Sequence, residues 1–153
     1  MSYQECKSLT NILSTIIITG IYAMVVYQRV VEGIANTSDV FRFWAITILI
    51  FIPISIVARI IIMIIFSIVN AVVLTAKGEP VEDVEIVDER DKLIELKAMR
   101  ISLIVFTLGF ILALVTQVTQ LSDHMFFITI MSFGVISEIA TDTTTILYYR
   151  KGV

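Results

Sequence analysis

Three ionisable residues lie inside long apolar runs of this sequence, namely Arg59, Glu138 and Asp142. Charges in such surroundings are costly, and they normally face the interior of a helix bundle and pair with one another. In a helix, Glu138 and Asp142 lie one turn apart on the same face. Counting residues from the polar ends of the runs places Arg59 at a depth similar to that of Glu138. These residues therefore predict an intramembrane charge network of Arg59, Glu138 and Asp142.

The same helix face also carries hydroxyl groups, at Ser137, Thr141 and Thr145. One interpretation is a proton or cation relay, in which Glu138 is the coupling site of a small transporter that acts as an oligomer. The other is an ion pair between Arg59 and Glu138 that only holds helices 2 and 4 together. Carriers usually have polar residues on several helices, or helices broken by Gly or Pro. The sequence favours the structural ion pair and keeps the proton- or cation-coupled transporter as the alternative.

Residues for other kinds of chemistry are scarce in this chain. His124 is the only histidine and Cys6 the only cysteine, so neither a His/Cys metal site nor two histidine ligands to a haem can be assembled. The sequence contains no nucleophile–base pair, no glycine-rich phosphate loop and no basic surface suited to nucleic acid. It therefore predicts a non-enzymatic protein without a catalytic residue, a cofactor or a metal site.

The elements that must position these side chains are four long apolar runs, at roughly 9–26, 43–73, 101–118 and 125–148. The chain is 58% hydrophobic and has a mean hydropathy of +0.94. A soluble domain of 153 residues cannot bury so much apolar surface. Each run can cross a hydrocarbon core of roughly 30 Å as a helix, and a helix satisfies its own backbone in lipid. The sequence predicts an all-α polytopic membrane protein, a single domain of four transmembrane helices packed as a bundle.

Local signals set the ends of these helices. Ser38 or Asp39 is expected to cap helix 2, and Gly78 and Pro80 are expected to end it. Asp88 and the acids that follow it are typical of a helix start. Helix 3 is therefore expected to begin in the cytoplasm and to run unbroken into the bilayer. We predict a cytoplasmic connector at 76–88 and helices at about 9–27, 43–73, 89–120 and 124–149.

The basic residues are distributed unevenly around the four runs. Eight of the eleven Lys and Arg residues lie before the first run, between the second and third runs, or after the fourth. Because loops rich in Lys and Arg stay in the cytoplasm, both termini and the 2–3 connector are expected on that side. Phe41, Phe43 and Trp44 are then expected to form an aromatic anchor at the outer interface.

Small residues on helix 4 also bear on the expected partners. Ser137, Thr141 and Thr145 form a small-xxx-small ribbon that lets a neighbouring helix approach closely. That helix could be helix 2 of the same chain or a helix of another subunit. The expected partners are therefore the lipid bilayer and either a second copy of the chain or another membrane protein, with no nucleic acid. An accessory or regulatory role is favoured over transport.

Several stretches of the chain resemble a family of small bacterial four-helix membrane proteins of unknown function. They are the juxtamembrane run D-E-R-D-K-L-I-E-L-K-A-M-R at 88–100, the Gly109-Phe110 pair, the stretch from Pro53 to Ile61, the Ser137-Glu138 pair and the ending Tyr-Tyr-Arg-Lys-Gly at 148–152. The likeness spans most of the chain, and the acid at Asp142 departs from it. The resemblance implies a multi-pass protein of the bacterial inner (plasma) membrane, and it implies no activity.

Overall fold

The computed structural model describes residues 3–31, 39–77 and 89–151. They form four helices, listed here in chain order: α1 (Tyr3–Val31), α2 (Val40–Lys77), α3 (Glu89–Val118) and α4 (Asp123–Lys151). The prediction of an all-α chain with four long helices is confirmed. Each of the four is long and apolar enough to cross a membrane.

The helices differ in length from the predicted ones. Helices α1, α2 and α4 extend beyond the predicted bounds at both ends, because the flanking polar residues continue the helical backbone. Helix α3 is unbroken, as predicted, but it ends at Val118 rather than at Gln120. The expected caps at Ser38 and Asp88, the stop signals at Gly78 and Pro80, and most of the 76–88 connector lie outside the described residues.

Polar groups fix two of the described helix ends. The backbone N–H of Arg42 donates to Asp39 Oδ1 at 3.2 Å, so Asp39 is the N-cap of α2. Between α3 and α4 the chain turns at Gln120, which has a positive φ of 55°. The N–H of Leu121 donates to the Thr116 carbonyl at 3.1 Å, which satisfies one of the free carbonyls at the end of α3. A short turn of this kind makes α3 and α4 antiparallel neighbours.

Helix α4 is the centre of the arrangement. It packs most extensively against α3 and next against α1, while α2 makes few contacts with α1 and fewer with α4. Within the described ranges, α2 does not contact α3. At 38 residues, α2 is about 57 Å long, nearly twice the thickness of a hydrocarbon core of about 30 Å. It is therefore a peripheral helix, attached along only part of its length.

The close contact between α3 and α4 depends on small residues of α3. Ala98 and Ala113 are completely buried, and Gly109 lies directly against the Phe133 ring of α4. Small residues let two helix backbones approach, which strengthens their packing in the absence of a hydrophobic driving force. The ribbon of Ser137, Thr141 and Thr145 on α4 was predicted to receive helix 2 or another subunit, and the contact between α3 and α4 does not test that prediction.

Trp44 differs from its expected place in an interfacial anchor. Phe41 is exposed, as an anchor would be, but Trp44 is only 3% exposed. The indole stacks on Phe127 of α4 with ring centroids 5.7 Å apart, and its Nε1–H donates to His124 Nδ1 at 2.9 Å. A buried indole with its N–H satisfied is a packing residue, so Trp44 joins the start of α2 to the start of α4.

We predict that Gly109→Ala destabilises the protein, whereas Gly20→Ala does not. A methyl group at position 109 would overlap the Phe133 side chain, whose Cβ and Cγ cannot move away without shifting α4. Such overpacking typically costs about 1–3 kcal/mol. No atom lies within 4 Å of a methyl group built at Gly20, and Ala is the better helix former. Thermal unfolding of both variants in one detergent measures the difference; equal melting temperatures would contradict the close α3–α4 contact.

Candidate functional site

The candidate site lies at the middle of three helices. Arg59 comes 19 residues after the start of α2 at Val40 and 18 before its end at Lys77. Glu138 comes 15 residues after the start of α4 at Asp123 and 13 before its end. Both residues therefore lie near the midpoints of their helices.

Arg59 and Glu138 form the predicted ion pair. Arg59 Nη1 contacts Glu138 Oε1 directly, so neither water nor Asp142 is needed to join them. The guanidinium also donates from Nη2 to Thr15 Oγ1 of α1 at 3.1 Å. The Thr15 hydroxyl in turn donates to Glu138 Oε2 at 3.4 Å. One side chain from each of α1, α2 and α4 thus closes a ring of polar contacts.

Thr15 belongs to the candidate site, although sequence reasoning did not single it out. It is 2% exposed, and its hydroxyl accepts from the arginine and donates to the carboxylate. The signal for it was present in the sequence, since Asn11 and Thr15 are polar residues one helical turn apart within the first apolar run. Glu138 and Asp142 repeat the same spacing on α4, as expected for two antiparallel helices whose polar groups meet in register.

Asp142 pairs with Asn11 one helical turn away from the contact between Glu138 and Thr15. Asn11 Nδ2 donates to Asp142 Oδ1 at 3.3 Å. Arg59 contacts Glu138, whereas Asp142 accepts its hydrogen bond from a neutral amide. The three predicted network residues do come together, but they divide into an ion pair and a separate acid one turn away.

The ion pair is only partly enclosed. The side chains of Arg59 and Glu138 keep 38% and 34% of their surface exposed. They face a cavity of about 1030 Å³ that is lined by residues of all four helices. The lining is mostly apolar, with Thr19, Ser55 and Ser67 also at its wall. Arg59 Nε is buried and has no hydrogen-bond partner among the described residues. The pair thus spans a gap between α2 and the other helices.

The hydroxyl stripe of α4 does not extend the polar ring into a relay. Ser137 donates to the Gly134 carbonyl at 2.7 Å, Thr141 to the Ser137 carbonyl at 3.0 Å, and Thr145 to the Thr141 carbonyl at 3.0 Å. These bonds satisfy the hydroxyls within their own helix. The interpretation of the stripe as part of a proton path therefore receives no support from the bonds that these side chains make.

Further polar contacts join the helices where α1 begins and α4 ends. Tyr149 of α4 donates to Asp91 of α3 at 2.5 Å, and Lys97 lies over the Tyr148 ring, 5.3 Å from its centroid. Arg150 approaches Glu5 of α1 at 4.0 Å. Within the described ranges, no three His, Cys, Asp or Glu side chains are grouped to hold a metal ion.

No protein-family model, curated protein or solved structure matches this chain. The function proposed below is therefore based on the residues of this chain and their geometry. The resemblance to small bacterial four-helix membrane proteins remains a prediction.

Proposed function

We propose that this chain is an integral membrane protein of the bacterial inner membrane, with both termini in the cytoplasm. Four helices that are long and apolar enough to span a bilayer support insertion. Eight of the eleven Lys and Arg residues lie on one side of these helices, which supports the orientation. The bacterial setting is supported by the family resemblance of the 88–100 stretch.

We further propose that its role is accessory or regulatory and non-enzymatic. One observation carries this proposal: Arg59 is engaged by Glu138 and by Thr15, so the central charges connect helices. Helix α2 is attached through this connection and a few other contacts. Its remaining surface is apolar and exposed, as at Ile56 and Ile64. Such a surface suits contact with lipid and with a helix of a second copy or of another membrane protein.

A small proton- or cation-coupled transporter with Glu138 as coupling site is the second candidate. The observation in its favour is Asp142, an acid one helical turn from Glu138 whose hydrogen bond comes from Asn11 and not from Arg59. A coupling carboxylate must release its partner and reach water during each cycle. Glu138 is held by two side chains from two other helices, which favours a fixed structural role.

The orientation predicts opposite accessibility for two single-cysteine variants. Asn36→Cys and Glu85→Cys, each in a Cys6→Ser background, are labelled in intact cells with a thiol reagent that cannot cross membranes. We expect the cysteine at 36 to react from outside and the one at 85 only after the membrane is opened, because the basic residues flank the second position. Labelling of both from outside would show the orientation to be wrong.

Charge exchange separates the two functional candidates. We expect Arg59→Glu and Glu138→Arg each to lower the yield of folded protein in membranes, since an unpaired charge in low dielectric costs several kcal/mol, on the order of 3–5. The double exchange should recover part of the yield because it restores an opposite pair. Arg42→Glu, at an exposed residue near the start of α2, is the control and should have little effect.

Two results would contradict the structural role. In one, both single variants fold as well as the wild type, or the double variant is no better than the worse single. In the other, the singles fold normally while proton or cation flux into vesicles, present in the wild type, is lost. The second result would establish the transporter in place of the accessory role.

A further inference from the structure

A polar cluster between α1, α2 and α4 consists of Asn11, Thr15, Arg59, Glu138 and Asp142. It contains two acids but only one base. Arg59 and Glu138 neutralise each other through direct contact. An ionised Asp142 would therefore leave the cluster with a net negative charge. Its hydrogen bond from Asn11 comes from a neutral amide. That amide can donate to the carbonyl oxygen of a protonated carboxyl group, although the bond to the carboxylate is the stronger one.

The surroundings of Asp142 act on its charge in opposing directions. Glu138, one turn away on the same helix, disfavours a second negative charge, as do the apolar side chains and lipid at this depth. The Asn11 amide, Arg59 of α2 and Lys7 of α1 favour the ionised form.

Other charged groups near α4 make their contacts close to the N-terminal end of α1. From α3, Asp91 accepts the Tyr149 hydroxyl and Lys97 lies over the Tyr148 ring. Glu5 of α1 approaches Arg150. Together with Lys7, these groups place ionisable side chains between Asp142 and that end of the helices.

We propose that Asp142 is a reversible proton-binding site that sets the net charge of the cluster attaching α2. A proton taken from water converts the carboxylate to a carboxylic acid, and its release restores the negative charge. Glu138 is unsuited to this task, because protonating it would break its ion pair with Arg59. Asp142 can gain or lose a proton while it keeps the Asn11 hydrogen bond. The site rests on the membrane insertion proposed above.

Infrared difference spectroscopy of the full chain tests this site directly. The protein is reconstituted in vesicles of ether-linked phosphatidylcholine, so that no lipid ester carbonyl overlaps the signal. Spectra are recorded while pH is raised through the range where water-exposed carboxyl groups are already ionised. We expect a carbonyl band of a protonated carboxyl group that disappears at higher pH and returns when the pH is lowered.

Two conservative variants assign the band. Asp142→Asn matches the neutral acid in shape and should fold, yet the band should be absent at every pH. Glu95→Gln removes an exposed acid of α3 and should keep it. The proposal is overturned if no such band exists, if the band does not change with pH, if Glu95→Gln removes it, or if sodium ions rather than protons displace it. The charge exchange at Arg59 and Glu138 measures the yield of folded protein and not a carboxyl band. The accessory role and the proton-binding site can therefore be contradicted independently of each other.

Discussion

We infer that the ion pair between Arg59 and Glu138 fixes the position of the middle of α2, whose start Trp44 attaches to α4. In a bilayer, lipid tails are as apolar as leucine side chains, so no hydrophobic driving force brings α2 to the other helices. Its long apolar surface contributes little to its placement. A charge in the middle of α2, by contrast, must find a partner, since leaving it in hydrocarbon is costly. Glu138 and Thr15 supply that partner from two different helices.

The other helices associate by a different principle. Helices α3 and α4 are joined by a tight turn and pack closely where Gly109 admits the Phe133 ring. Van der Waals contact between closely approaching backbones is sufficient there. The molecule thus combines a closely packed pair with a peripheral helix attached by charge. We infer that a change in the central charges alters α2 first and leaves the α3–α4 pair intact.

The sequence predicted the features that depend on composition alone. Apolar runs and their length predicted four helices, and the cost of isolated charges predicted that Arg59 meets Glu138. It did not predict that α4 packs most extensively against α3 and α1, because that depends on side-chain shape. Gly109 and Phe133 are 24 positions apart by their numbers, and nothing local marks their contact. Trp44 resembled an interfacial anchor because the pattern at the start of α2 does not reveal the histidine that accepts its N–H.

Thr15 illustrates an intermediate case. Polar residues at 11 and 15 on α1 and at 138 and 142 on α4 share a one-turn spacing, so an antiparallel pairing could have been tested from sequence. The hydroxyls of Thr141 and Thr145 were interpreted as part of a polar path, but their hydrogen bonds stay within α4. A threonine inside a helix can satisfy its own hydroxyl with a backbone carbonyl four residues before it. The sequence cannot distinguish that threonine from one that reaches across to another helix.

The central claim is that the Arg59–Glu138 pair holds α2 beside α4. Spin labels at the exposed positions Ile56 and Ile136, in a Cys6→Ser background in vesicles, report the distance between these helices by pulsed electron resonance. The wild-type pair should give one narrow distribution. The double variant Arg59→Met/Glu138→Gln, which removes both charges of the pair, should give a broad one, while labels at Leu108 and Ile128 on α3 and α4 stay unchanged. An equally narrow α2–α4 distribution in the double variant would contradict the account.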